Sequence, residues 1–218
     1  NVKIGGSHSG ITVGPDGATA QALEDIAMMR VLPNMTVIVP ADAIEAKKAT
    51  IAAAYVPGPL FLRLGRSPAP IVTREEDPFE VGRARVLREG RDVSIVACGL
   101  MVAEALKAAA ALAEEGVEAG VLNMHTIKPL DEETLVYAAR RTGALVTAEE
   151  HQLHGGLGSA VAEVLTKYCP VPQEMVGVAD TFGESGEAGE LTEKYGLTWK
   201  QIKEKAWLAM KRKRTCVS

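Results

Sequence analysis

The sequence predicts an α/β protein built as a partial doubly wound parallel-sheet domain followed by a second, three-layer α/β domain whose mainly parallel sheet has about five strands. Three observations predict it. Short apolar or β-branched runs alternate with segments of helical apolar period. Pro, Gly, Asn or Asp, which break helices and make turns, punctuate the alternation. The alternation is interrupted by a Pro- and charge-rich stretch, Ser67 to Phe79, that has no apolar period. The expected division is residues 1–66, a linker over 67–80, and residues 81–214.

The chain opens at Asn1 inside a strand-like run, Val2 to Gly6, and without an initiator Met reads as a fragment. A Gly-rich loop, Gly5 to Gly17, leads into an expected amphipathic helix from about Thr19 to Leu32. There Leu23, Ile26, Ala27 and Arg30 stand at i, i+3, i+4 and i+7. Pro33-Asn34 ends it. Met35 to Val39 is the next strand, and Asp42, with Glu45 three residues on, caps a helix reaching Tyr55. Pro57-Gly58-Pro59 stops that helix before a strand at Leu60 to Leu64. Such a β-α-β unit calls for parallel strands.

The second part repeats the alternation. Strands are expected at Val93 to Ala97, Val117 to Asn123, Ala144 to Ala148 and Met175 to Val178. Helices are expected at Val102 to Glu115, Asp131 to Arg141 and Leu157 to Tyr168. A final helix, Trp199 to Lys213, carries its apolar stripe on Trp199, Ile202, Ala206 and Met210, with a capping box at Thr198 and Gln201.

The 218 residues are 47% apolar and 24% charged, enough to bury a core. No run approaches the ~20 apolar residues a membrane span needs, so no membrane partner is expected and the cytoplasm is the default location. The net charge of -4 argues against a nucleic-acid partner, because backbone-phosphate affinity needs clustered cations. The one basic run, Lys211 to Arg214, closes a helix, where cations complement the dipole; Thr215 to Ser218 reads as a loose end. Cys98, Cys169 and Cys216 have no C-x-x-C spacing, which implies neither a zinc site nor a disulfide framework. Cys98, in the apolar run VSIVACG, reads as a buried, inert thiol.

The densest set of special residues runs from Gly5 to Arg30, GGSHSGITVGPDGATAQALEDIAMMR, where glycines surround His8 and Asp16. Glycines let a ligand approach the backbone closely, so such a loop can aim an imidazole and a carboxylate into one pocket. From spacing alone, Asp16-Gly17 reads first as a turn and His8 as a surface residue.

The pattern of His8, Ile11, Val13, Gly14, Asp16, Gly17, Thr19, Leu23, Glu24, Asp25, Ala27 and Arg30 resembles the pyrimidine-binding domain of transketolases. VLPNMTVIVPADAIEA resembles that family's R-x-x-P-N-x-x-V-x-x-P-[AS]-D segment, and FLRLGRSPAP its R-x-[SG]-R strand end. TIKPLD, Thr126 to Asp131, and AEEHQLHGGLGSAV, Ala148 to Val161, resemble the C-terminal domain of the same enzymes.

The resemblance implies a thiamine-diphosphate enzyme that moves a two-carbon ketol unit from a ketose phosphate to an aldose phosphate in the pentose phosphate pathway. It implies His8 as a catalytic and substrate-binding residue that contacts the donor carbonyl or acceptor hydroxyls and helps relay a proton. Asp16 would accept a hydrogen bond from the sugar hydroxyl beside the reacting carbon, and Arg66 would hold the sugar phosphate. Arg63 is assigned to a structural salt bridge. Ala20 departs from the family, which carries His or Gln there in many members.

Cofactor-binding residues are expected upstream of Asn1. Thiamine diphosphate and a divalent metal such as Mg belong to the complete enzyme, and no G-D-G metal motif occurs in this chain. The partners implied are sugar phosphates, a diphosphate-binding domain or subunit, and a second copy in a homodimer. This chain alone is expected neither to bind the cofactor tightly nor to turn over. Two alternatives share the fold: a 1-deoxyxylulose-5-phosphate synthase-like enzyme, and a non-catalytic assembly module like the beta subunit of a 2-oxo acid dehydrogenase.

Other features read as structural. His151 and His154 stand three apart beside Glu149 and Glu150, but no further ligand converges in sequence, so no metal site is expected. Gly155, Gly156 and Gly158 precede a helix whose N-terminus would hold a small anion at most. His125 reads as a packing or subunit contact, and Glu184 to Glu190 as an exposed acidic loop.

Overall fold

The computed structural model describes residues 1–215 and contains two α/β units, each on a mixed, mostly parallel sheet. The strands expected from the apolar runs are largely realised.

In the first sheet the order is β1-β3-β2-β7, with β1 at Lys3–Gly6, β2 at Thr36–Ile38, β3 at Leu60–Arg63 and β7 at Thr126–Lys128. β1 and β2 both run parallel to β3. The fourth strand is not predicted by the sequence pattern: β7 comes from the second half of the chain and runs antiparallel to β2. One face of this sheet buries Ile38, Leu60 and Leu62 against Ala49 and Ala53 of helix α2, Ala43–Tyr55. The Asp42 carboxylate accepts the Glu45 amide at 2.9 Å, and Glu45 reaches back to the Ala41 amide at 2.7 Å. That reciprocal cap fixes where the helix begins.

The second sheet has the order β4-β6-β5-β8-β9. Its strands are β4 at Arg85–Arg88, β5 at Val93–Ala97, β6 at Ala119–Asn123, β8 at Leu145–Gln152 and β9 at Gln173–Val178. Only β4, an edge strand, is antiparallel. Alternation along β5 sends Val93, Ile95 and Ala97 into the cluster formed with α3, Met101–Glu114, and α7, Trp199–Thr215. Val96 and Cys98 go to the opposite cluster with α4, Glu132–Thr142, and α5, Leu157–Tyr168. That second cluster also takes in Val37 and Phe61, so the two sheets share a core.

Four expectations need correction. The helix from Thr19 to Leu32 is only α1, Asp25–Val31. Its missing turns are lost because the Ala22 carbonyl accepts the Gly10 amide at 2.9 Å and the Leu23 carbonyl accepts the Gln152 amide at 2.9 Å. The amides those carbonyls would serve go elsewhere, Ile26 to the Asp25 carboxylate and Ala27 to His151 Nε2. The acidic stretch Glu184 to Glu190 is not all loop, since α6 begins at Ala188 and runs to Lys194. The opening amide of α7, Trp199, donates to Glu104 of α3 at 2.8 Å, while Gln201 donates to Glu204 instead of closing a box with Thr198. Thr215 ends α7, and Cys216 to Ser218 lie outside the described residues. Among the described residues no helix is long and apolar enough to cross a membrane.

Candidate functional site

Strands β1 and β3 pair in parallel with Gly6 opposite Arg63, so the loops that follow them leave on the same side of the sheet. The Ser9 amide donates to the Leu64 carbonyl at 3.2 Å, and the Leu64 amide to the Gly6 carbonyl at 2.7 Å. His8 stands on the first loop with φ 61°, a left-handed conformation uncommon for a residue with a side chain. The residue is exposed.

The chain then tightens into a 3-10 turn, Ile11–Asp16, broken at Gly14, where φ 76° requires glycine. Ile11 and Val13 anchor the turn in the interior. Gln21 is buried and donates to the carbonyls of Ile11, Gly14 and Glu184. Asp16 leaves the end of the turn and meets Arg66 at 2.8 Å. Arg66 also donates to the Val13 carbonyl at 3.2 Å, and Ser67 to the Thr12 carbonyl at 2.8 Å.

The structure thus brings Asp16 and Arg66 together and sets His8 at the neighbouring strand end. No hydrogen bond joins the His8 ring to either, among the described residues. Nor do these three line the cavity of about 190 Å³ that opens beside them, whose walls include Asp42, Arg63, Ser67, Leu100 and Glu150. Ala20 is exposed near this loop.

Beneath the loop lies a buried ionic group. Arg63 donates through Nε to both oxygens of Asp25, at 3.0 and 2.8 Å, and through Nη2 to the carbonyls of Ala22 and Glu150. This is the structural salt bridge expected of Arg63. Sequence reasoning missed Glu150, whose Oε1 accepts the Thr12 amide at 2.7 Å. Burial pushes its carboxyl up, against the pull of the Arg63 guanidinium. The available signal was a pair of glutamates inside the strand run AEEH. Alternation must turn adjacent strand residues to opposite faces, and each buried carboxylate then needs donors of its own.

Glu149 faces the other way and accepts the amides of Leu157 and Gly158 at 2.7 and 2.8 Å. The anion expected at the α5 N-terminus is therefore this chain's own carboxylate. Burial raises Glu149 to about 7, opposed by those two amides. His151 is fully buried, its Nδ1 at 2.7 Å from the Gln152 carbonyl and its Nε2 accepting the Ala27 amide. His125 is buried and stacked on Phe79, and burial lowers it to about 4.

No cluster of three His, Cys, Asp or Glu side chains suited to a metal occurs among the described residues. The buried carboxylates Glu149 and Glu150 are already engaged by backbone amides.

A family model for the transketolase C-terminal domain matches residues 82–202, and one for the transketolase pyrimidine binding domain matches residues 1–71. A 6-deoxy-6-sulfo-D-fructose transketolase subunit of Clostridium sp. (strain MSTE9) is 49% identical over 98% of this chain and 66% of its own length. A putative transketolase C-terminal section of Methanocaldococcus jannaschii is 42% identical, covering 97% of this chain and 67% of that protein. An apulose-4-phosphate transketolase subunit of Phocaeicola vulgatus is 39% identical, covering 90% and 63%. The chain spans about two thirds of the length of these relatives. A solved structure described as a split gene transketolase, inactive beta4 tetramer, is similar with a TM-score of 0.92 and 52% identity, covering 98% of this chain and 68% of that one.

Proposed function

Since the chain belongs to the transketolase family, we propose that it is the C-terminal part or subunit of a thiamine-diphosphate-dependent enzyme that transfers a two-carbon ketol unit between sugars. The observation that carries this reading is the Asp16–Arg66 pair, formed between the segments that follow two adjacent strands, with His8 on the first of those segments. Arg66 holds the terminal anion of the sugar through its guanidinium fork. A phosphate suits it, and so does the sulfonate that the name of the Clostridium relative implies. Asp16 accepts a hydrogen bond from the hydroxyl beside the reacting carbon, which gives selectivity because its absence leaves a carboxylate unpaired. His8 contacts the carbonyl or hydroxyl oxygens at that carbon and takes or returns a proton there.

Thiamine diphosphate and its metal are held by a diphosphate-binding domain or partner subunit, so this chain alone does not turn over. We place the working form in an assembly of two or more copies. Support comes from relatives named as subunits and from the similar structure described as an inactive tetramer of one chain type.

The experiment mixes this chain with the diphosphate-binding subunit of a split transketolase, thiamine diphosphate and Mg. Transfer is followed from xylulose 5-phosphate to an aldose phosphate. Ketol transfer that saturates at a fixed subunit ratio, with none from the chain alone, is expected. Use of pyruvate in place of the ketose donor, or capture of a lipoyl domain without any transfer, would overturn the reading.

A further inference from the structure

We propose that Glu150, near the C-terminal end of β8 in the second sheet, is a positioning residue that sets the turn carrying Asp16 by accepting the Thr12 amide. The inference rests on the function proposed above for that loop. It assigns to the second unit a part in substrate binding.

Three observations carry it. First, Glu150 is 4% exposed and its Oε1 lies 2.7 Å from the Thr12 nitrogen, a contact between residues 138 apart in sequence. Thr12 is the second residue of the 3-10 turn that ends at Asp16, so its amide fixes the turn that aims that carboxylate. Second, the loop backbone packs directly against the Glu150 carboxyl group. A Cβ built at Gly10, where φ is 91°, would fall within the Glu150 carboxyl group, so glycine lets the backbone lie directly on it. Third, the Glu150 backbone is fixed independently. Its carbonyl accepts Arg63 Nη2 at 2.9 Å, and Arg63 is held by Asp25. β3 carries Arg63 at its end and leads three residues later to Arg66. The second sheet and β3 are thereby locked to each other, and the turn is hung between them.

A side chain that only filled space would leave the loop unchanged when its reach alone is altered. Glu150→Asp keeps charge and burial but draws the carboxylate back by one methylene. Glu150→Gln keeps the reach and the accepting oxygen. Both are made in the chain assembled with its diphosphate-binding subunit. Amide hydrogen exchange is read at residues 10–17, and steady-state kinetics are measured with xylulose 5-phosphate.

In E150D, exchange at Thr12 is expected to speed by about tenfold or more while β5 amides are unchanged. KM rises about 10- to 100-fold, as loss of a bond to a charged group predicts. kcat stays within about threefold, and E150Q brings KM back to within about threefold of the parent. Unchanged Thr12 exchange in E150D, or acceleration spread evenly over the whole chain, would overturn the proposal. So would a fall in kcat with KM unmoved. If the parent assembly transfers no ketol unit, the functional reading falls, and the exchange measurement still decides whether Glu150 sets the loop.

Discussion

The Asp16 carboxylate and the Arg66 guanidinium lie 2.8 Å apart although fifty positions separate them in sequence. Both side chains are nearly half exposed, at 46% and 43%. An ion pair so wet contributes about 0–1 kcal/mol to stability, so a ligand that competes for either partner can open it at little cost. Arg66→Ala is therefore expected to shift the thermal midpoint by less than about 4 °C. In the assembled enzyme it should raise KM for an anionic ketose about 10- to 100-fold. Calorimetry and initial rates on one preparation check both halves, and a large loss of Tm would make the pair structural.

Three residues before Arg66 the balance reverses. Arg63 and Asp25 are buried, and Arg63 is also the cation beside Glu150. Removing the guanidinium leaves buried carboxylates uncompensated, so Arg63→Ala is expected to destabilise by about 3–5 kcal/mol. Arg63→Met combined with Asp25→Leu should lose less than R63A alone, because no unpaired charge then remains at that pair. Urea unfolding measures both, and equal midpoints for parent and R63A would refute this.

Two buried groups pull the pH dependence of stability in opposite directions. Glu149 is raised by burial from an ordinary 4.5 to about 7. Its contribution is complete below the ordinary value and is lost as pH rises through about 7, a change of roughly 3 kcal/mol. His125 is lowered by burial from 6.5 to about 4. Its neutral form is the folded one, so stability is lost as pH falls from 6.5 through about 4, again by roughly 3 kcal/mol. Glu149→Gln should thus gain on the parent as pH rises from 4.5 to 8, and His125→Phe should gain on it as pH falls from 7 to 4. Denaturation curves that keep a constant offset from the parent across these ranges would contradict the assignment.

Cys98 is 1% exposed, and burial with the nearby Glu149 carboxylate raises its thiol well above the ordinary value. Labelling by iodoacetamide in native buffer is expected to spare Cys98 and to reach it only on unfolding. Peptide mapping that finds Cys98 modified at the rate of a free thiol would show the β5 end to be open.

Where local rules governed, the sequence could be read to the residue: β5 and α5 lie where apolar runs and flanking glycines put them. It failed where distant partners took over. Ala22 and Leu23 have a helical apolar period, yet Gly10, Arg63 and Gln152 claim their carbonyls, which no local pattern reveals. β4 and β7 are short and partly charged, and each exists because a neighbouring strand offers it a ladder. Within the site, His8, Asp16 and Arg66 stood out by resemblance, and the pairing of the last two required coordinates. Glu150 was hidden because its partner is a backbone amide, which any residue but proline carries.

In the function proposed above, Asp16 reads a sugar hydroxyl. The most direct measurement is the ratio of kcat/KM for a ketose phosphate to that for its analogue lacking the hydroxyl beside the reacting carbon, in the assembled enzyme and in its Asp16→Ala form. The parent should favour the hydroxylated donor by about 10²-fold or more, and D16A should lose most of that preference. An equal ratio in both forms would contradict the assignment of Asp16 to the substrate.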